Sequence, residues 1–279
     1  MGRTYVVTGA GSGIGRATAD RLLTQGATVV GVDLRGADIQ GDLSTATGRR
    51  AAVKAAVDAA SGSVDAVIAC AGIALPKPLT ASVNYFGMTE FLTLIRPVLA
   101  QAPAPRAALV SSVSCIHPNH PQLVDALVAD DEGAALKIAS NMALDEGSAN
   151  LVYQSTKRAI SLWLRREAPT AVWAGAGIPL NAVAPGLVTT PMTAELLGTA
   201  DGASMMNAIV PTPLNGHQSP ESIADLLIWL TSEQNSHMCG QTLYCDGGAE
   251  VVLRGTDAYS WADAAMSTTF AEISAKVSP

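Results

Sequence analysis

The chain has 279 residues, 48% hydrophobic and 15% charged, with a formal net charge of −7. That length and apolar fraction support a large core and exclude a disordered chain, and the acidic balance repels phosphate backbones, so no nucleic acid partner is expected. The four cysteines, Cys70, Cys115, Cys239 and Cys245, have no zinc spacing, and a chain of this size needs no disulfide staples. His117, His120, His217 and His237 show no metal spacing either, so no metal is expected. No apolar run approaches the ~20 residues of a membrane span. The N-terminus enters a strand almost at once, so no signal peptide is expected and the compartment reads as reducing and cytoplasmic.

The first predicted strand, Tyr5–Thr8, runs into Gly9-Ala10-Gly11-Ser12-Gly13-Ile14-Gly15, and a helix continues from it over Ile14–Gln25. Glycines let backbone amides approach a pyrophosphate, and the helix start adds free N–H groups and its dipole. Gly9, Ser12, Gly13 and Ile14 are therefore candidate cofactor contacts. The second strand, Thr28–Asp33, ends in a carboxylate that can accept both ribose hydroxyls and repel a 2′-phosphate. NAD is favoured over NADP on that ground, although the Arg35 guanidinium could hold such a phosphate. Asp42-Leu43 is read either as an adenine-side wall or, for Asp42, as an N-cap of the helix Thr45–Ala60.

A third strand, Ala66–Ala71, precedes a long helix over Leu79–Ala100 that carries Asn84 among apolar neighbours. A buried amide needs partners; Asn84 is either a structural hydrogen-bonding residue or the post for a water in a proton path. The fourth strand, Ala107–Ser111, delivers Ser111-Ser112 to the carboxyl edge, where open α/β sheets bind ligands. An excursion over 114–150 comes next, with helical patches near Gln122–Ala129 and Ala134–Ala143. The helix Val152–Ala168 opens on Tyr153 and Lys157, four apart and hence on one face. A neighbouring ammonium is expected to lower the phenol's pKa and make it a usable acid/base.

Strand Leu180–Val183, a Met- and Pro-containing connection over 191–218, helix Pro220–Ser232 and strand Thr242–Cys245 complete the pattern, and a tail extends beyond Gly248. Alternating short apolar strands and helices predict an α/β fold, one doubly wound parallel sheet with helices on both faces. One Rossmann-like domain over 1–279 is the simplest organisation, with an insertion at 114–150, a substrate lid at 191–218 and a tail at 249–279. Ser114, Met192, Leu196, Met205 and Met206 are candidate substrate contacts, although the lid methionines also fit ordinary packing of a helical hairpin.

Thr8–Gly15, Ala69-Cys70-Ala71-Gly72, Asn84, Ser111-Ser112, Tyr153-x-x-x-Lys157, Asn181–Gly186 and Asp246-Gly247-Gly248 stand in the order found in short-chain dehydrogenases/reductases. Over about residues 4–250 the chain resembles that family. The resemblance implies catalytic roles for Ser112, Tyr153, Lys157 and Asn84. It also implies cofactor contacts from Leu34, Asp42, Leu43, Ala71, Gly72, Pro185, Gly186, Val188 and Thr190, as well as Tyr153 and Lys157. Cys70 departs from the family's asparagine, leaving a local hydrogen bond open. The 41 positions from Ser112 to Tyr153 far exceed the family's usual spacing.

The Asn84-Tyr85-Phe86-Gly87 segment, the Asp42–Thr45 stretch and the long insertion are similar to a bacterial 3α-hydroxysteroid dehydrogenase/carbonyl reductase branch. That similarity implies an NAD(H)-dependent interconversion of a secondary alcohol and a ketone, on a hydrophobic steroid or xenobiotic carbonyl. The alternatives are a terpenoid alcohol dehydrogenase, a 3-oxoacyl-thioester reductase and a non-catalytic NAD(H) sensor. A homodimer is expected ahead of a homotetramer, because the insertion falls where relatives pack long helices between subunits.

Overall fold

A computed structural model describes residues 2–256. Met1 and the rest of the tail, with Tyr259, Trp261 and Phe270, lie outside the described residues. Seven strands, β1 (Thr4–Thr8), β2 (Thr28–Asp33), β3 (Ile39–Gln40), β4 (Ala66–Ala69), β5 (Arg106–Val110), β6 (Leu180–Pro185) and β7 (Thr242–Cys245), form one sheet. Their order is β3-β2-β1-β4-β5-β6-β7, and every pairing is parallel. The sequence pattern omits β3, because two residues are too few to show a period.

Alternation along each strand feeds two cores. Val6, Val67, Ala69, Ala107 and Leu109 face one side, with helices α2 (Ala46–Ala59), α4 (Gly87–Leu99) and α8 (Leu151–Glu167). Tyr5, Val7, Ala66, Ile68, Ala108 and Val110 face the other, with α1 (Gly13–Thr24) and α11 (Pro220–Leu230). The doubly wound arrangement results from right-handed crossovers on either side of β1. It leaves a crevice where the order reverses, between the carboxyl ends of β1 and β4.

The predicted helix over Leu79–Ala100 is not one helix. It divides into α3 (Pro78–Ala81), a π turn over Ser82–Phe86 and α4. Asn84 sits in that π turn, a distortion that concentrates at functional sites. Pro97 is tolerated within α4 close to its end.

The 114–150 excursion is a built part of the core. A 3₁₀ turn (Val113–Ile116) leads to α5 (Pro121–Val128), α6 (Glu132–Met142) and α7 (Glu146–Ala149). Leu123, Val124, Leu127, Ala135, Ala139 and Met142 are all buried in the same cluster as α4 and α8. Beyond β6 lie α9 (Ala194–Leu197) and α10 (Ala200–Ile209), and α12 (Ala249–Arg254) closes the described chain. No helix among the described residues is long and apolar enough to cross a membrane.

Leu109 is fully buried in the centre of β5. Leu109→Ala is expected to lower unfolding free energy by about 3 kcal/mol, the lost transfer energy plus the cavity left behind. The same change at Leu144, 88% exposed, is expected to be neutral. Urea denaturation of both variants reads the difference.

Candidate active site

One cleft of about 310 Å³ lies along the carboxyl ends of the strands. Its residues come from two groups of elements, one at each end. At one end is the glycine turn. Gly9 has φ +73°, and a Cβ there would sit 2.8 Å from the Ala71 backbone nitrogen, so only glycine lets β1's exit pass β4's exit. A Cβ at Gly15 would collide with the Gly9 carbonyl, so its absence lets α1 start directly against the turn.

Ser12 precedes α1 without capping it through its side chain, and no acidic residue occupies the first turn. The first-turn amides and the dipole therefore face the cleft with no anion of the protein's own. That donor set fits a pyrophosphate. Asp33 closes the turn from the β2 side: its Oδ2 accepts from Gly11 N at 3.0 Å, and Oδ1 accepts from Arg35 N at 3.4 Å. Asp42 makes a local turn, accepting from Ser44 N at 2.8 Å; the Ser44 hydroxyl first, and its backbone N–H second, hold the Asp42 carboxyl below the usual range. Thr45, not Asp42, caps α2, accepting from Gly48 N at 3.1 Å. Asp42 and Leu43 both line the cleft.

At the other end, β5 delivers the two serines to different tasks. Ser111 Oγ lies 2.9 Å from Ser161 Oγ and faces α8, which makes it structural. Ser112 Oγ accepts from Ser114 N at 3.1 Å, and Ser112 and Tyr153 line the same cleft. Lys157 Nζ is buried, donates to the Val110 carbonyl at 2.9 Å, and lies 5.7 Å from the centre of the Tyr153 ring. One helical turn of α8 thus places phenol and ammonium on the same side, against the end of β5.

The electrostatics differ from the sequence expectation. Burial raises the Tyr153 phenol above its ordinary value, and the nearby Ser112 hydroxyl only partly opposes it. Burial also pushes the Lys157 ammonium down to about 8, with Cys70 and Cys115 working against that. The desolvation of both groups, which the sequence does not display, outweighs the lowering expected from the neighbouring ammonium. The Cys70 thiol, in the place of the family's asparagine, is itself pushed up to about 12 by burial.

Asn84 is fully buried. Its Oδ1 accepts from Ile73 N at 2.8 Å, and its Nδ2 donates to the Ile73 carbonyl at 2.9 Å and to Thr156 Oγ1 at 3.3 Å. Its side chain therefore staples the segment after β4 to α8. A Cβ at Gly72 would lie 3.3 Å from Asn84 Oδ1 and 3.8 Å from Lys157 Nζ, so the three positions meet at one point of the cleft wall.

The cleft lining includes Gly9, Ser12, Gly13, Ile14, Asp33, Leu34, Ala71, Gly72, Ser112, Tyr153, Lys157, Pro185, Gly186, Val188, Thr190 and Met192. The other substrate candidates lie elsewhere. Leu196 and Met205 are 45% and 54% exposed, away from the lining. Met206 packs into a small separate cluster with Val113, Leu187 and Val210. Ser114 braces Ser112 through its backbone rather than lining the cleft. Position along the chain does not say which face of α10 turns inward. His117 and His120 do not line the cleft; His120 Nδ1 caps α5, accepting from Leu123 N at 3.3 Å.

Ile73, Val83, Val110 and Thr193 also line the cleft, and motif reading does not find them. Ile73 carries the one accessible signal, since it directly succeeds the Ala71-Gly72 turn. Thr193 braces the loop after β6, its hydroxyl donating to the Val188 carbonyl at 2.6 Å. Among the described residues, no cluster of three His, Cys, Asp or Glu could hold a metal ion.

Known proteins share this outline. A family model described as enoyl-(acyl carrier protein) reductase matches residues 9–250. The chain is 34% identical to the 3-alpha-hydroxysteroid dehydrogenase/carbonyl reductase of Comamonas testosteroni, over 90% of this chain and 98% of that protein. It is 32% identical to the cis-4-hydroxycyclohexanecarboxylate dehydrogenase of Sinomonas cyclohexanicum, over 90% of this chain and 97% of that one. The crystal structure of the 3-alpha-hydroxysteroid dehydrogenase from Pseudomonas sp. B-0831 complexed with NADH superposes with a TM-score of 0.83, at 33% identity, over 91% of this chain and 99% of that one. With its parallel seven-stranded sheet and a match across nearly its whole length, this chain belongs to the short-chain dehydrogenase/reductase family of oxidoreductases.

Proposed function

We propose that this protein is an NAD(H)-dependent dehydrogenase/reductase that interconverts a hydrophobic secondary alcohol and its ketone, with 3α-hydroxysteroids and 3-oxosteroids as the favoured substrates. The observation that carries the reading is the buried Lys157 ammonium 5.7 Å from the Tyr153 ring, with Ser112 in the wall of the same cleft. The steroid preference is supported by the 34% identity to a hydroxysteroid dehydrogenase/carbonyl reductase.

The residues divide the work. Gly9, Ser12, Gly13 and Ile14 would hold the pyrophosphate, Asp33 and Leu34 the adenosine ribose, and Asp42 and Leu43 the adenine. Ala71, Gly72, Pro185, Gly186, Val188 and Thr190 would flank the nicotinamide half. When bound, the dinucleotide supplies or accepts the hydride. Ser112 holds the substrate oxygen by a hydrogen bond. Tyr153 gives that oxygen a proton in reduction and takes it back in oxidation. Lys157 stabilises the phenolate that remains, and Asn84 keeps the Ile73 segment in place beside it. NAD is preferred because Asp33, already fixed on the turn, would oppose a 2′-phosphate.

We further propose a homodimer. Helices α5 and α6 bury their apolar faces against their own α4 and α8 core, and the family resemblance implies that this is where subunits would otherwise pack long helices. Sedimentation velocity at micromolar concentration is expected to read a dimer; a monomer would remove this part of the reading.

Initial rates on 3-oxosteroids, terpenoid ketones, simple aromatic ketones and a 3-oxoacyl thioester, each with NADH and NADPH, test the function directly. The expected result is highest kcat/KM for a 3-oxosteroid with NADH. Absence of NADH consumption with any ketone would leave only a binding protein.

Tyr153→Phe removes the proton donor and is expected to cost several decades of turnover, while NADH fluorescence titration still reports binding. Wild-type turnover in that variant would sink the mechanism. The pH dependence has a definite sign. A raised Tyr153 pKa keeps the phenol protonated through neutral pH, which favours reduction. Lys157 loses its proton as pH rises through about 8. Ketone reduction is therefore expected to hold below that point and fall above it, while alcohol oxidation increases toward alkaline pH. Rate profiles from neutral to alkaline pH in both directions check the sign.

A further inference from the structure

Arg49 is the fully buried arginine of the described residues, in the first turns of α2. Taking a guanidinium out of water costs several kcal/mol unless it is paired and hydrogen-bonded. Its partners come from two other helices. Nε donates to Glu90 Oε2 of α4 at 2.5 Å. Nη1 and Nη2 form a fork on Glu132 of α6, at 3.2 and 2.6 Å. The remaining reach of Nη1 goes to the Leu43 carbonyl at 3.4 Å. The guanidinium carbon also lies 6.0 Å from the centre of the Phe86 ring, in the π turn that carries Asn84.

Leu43 is a wall of the cleft. Its carbonyl is further confined by α4, where a Cβ at Gly87 would approach to 3.0 Å. Glu132 belongs to the inserted segment. The fork from Glu132 to Arg49 is therefore a connection from the insertion to the cleft wall, made across a buried charge.

We propose that Arg49 is a positioning residue for the adenine-side wall of the cleft, and that Glu132 of the insertion holds it there. This rests on the reading of the cleft as a dinucleotide site. The insertion then does more than fill the α4–α8 face: it sets the order of the Asp42-Leu43 wall, and so the affinity for the adenosine half of the cofactor. Both carboxylates also keep Arg49 occupied, so it is not free to receive a 2′-phosphate.

The test is NADH fluorescence titration and AMP binding by calorimetry on the full chain, beside steady-state kinetics. Wild type is measured first; failure to bind NADH there would overturn the dinucleotide reading itself. Glu132→Gln keeps the shape of the side chain and removes its charge. It is expected to weaken both NADH and AMP about tenfold, with kcat at saturating NADH within about twofold of wild type and KM for the ketone unchanged. Arg49→Lys keeps the charge but not the fork, and the same split is expected. It also stands in if Glu132→Gln fails to fold.

Arg166→Ala serves as the comparison. It removes a different tie of the insertion, Arg166 Nη2 to Asp130 Oδ2 at 3.0 Å, which is remote from Leu43 in the hydrogen-bond network. Its NADH and AMP affinities are expected to match wild type. The proposal is overturned if Glu132→Gln and Arg49→Lys bind both ligands like wild type. It is equally overturned if Arg166→Ala weakens binding as much as they do, since general loosening of the insertion would then account for the effect.

Discussion

Lys157 donates to the carbonyl of Val110 at 2.9 Å, and the arrangement of the site hangs on that hydrogen bond. An ammonium buried under the edge of a sheet needs an oxygen partner, and the last carbonyl of β5 accepts from it. The bond pins α8 to the strand that carries Ser112. With α8 in place, Tyr153 has one orientation, four residues back along the same face. The same burial that makes the bond necessary shifts both groups toward their neutral forms. Burial therefore favours the neutral phenol and amine over the phenolate–ammonium pair.

The opposite end of the cleft solves a different problem with backbone. Its positive potential comes from α1's uncapped first turn rather than from a cation. Asp33 can then serve two purposes at once. It tightens the glycine turn through Gly11 and presents a carboxylate to whatever enters from the β2 side. A parallel sheet makes this economical, because every strand delivers its carboxyl end to the same edge.

Between these ends stand the segments that break the βα rhythm. The π turn puts Asn84 where both ends of its amide reach Ile73. The insertion buries its own apolar face in the α4–α8 core and sends Glu132 to Arg49. The loop after β6 is held by Thr193 and by Gln218, which pairs with Val188 across an isolated bridge. Each irregular segment is thus tied by polar contacts to the cleft wall, the insertion through Arg49 and the Leu43 carbonyl.

The sequence by itself determined the strand–helix alternation, the glycine turn, Asp33 at the end of β2, and Tyr153 and Lys157 on one face of a helix. These depend on short-range periodicity and on residue chemistry at fixed spacing, and both are visible without coordinates. Tertiary structure alone decided the rest. The division of Ser111 from Ser112 depends on which hydroxyl faces Ser161. The inward and outward faces of α10, which send Met206 into a separate cluster and leave Met205 exposed, depend on packing partners distant in sequence. The raised phenol and lowered ammonium depend on burial. The fork on Arg49 joins residues 83 apart. Spacing in a chain reports neighbours along a helix or strand; desolvation and long-range pairing arise only once the layers have closed.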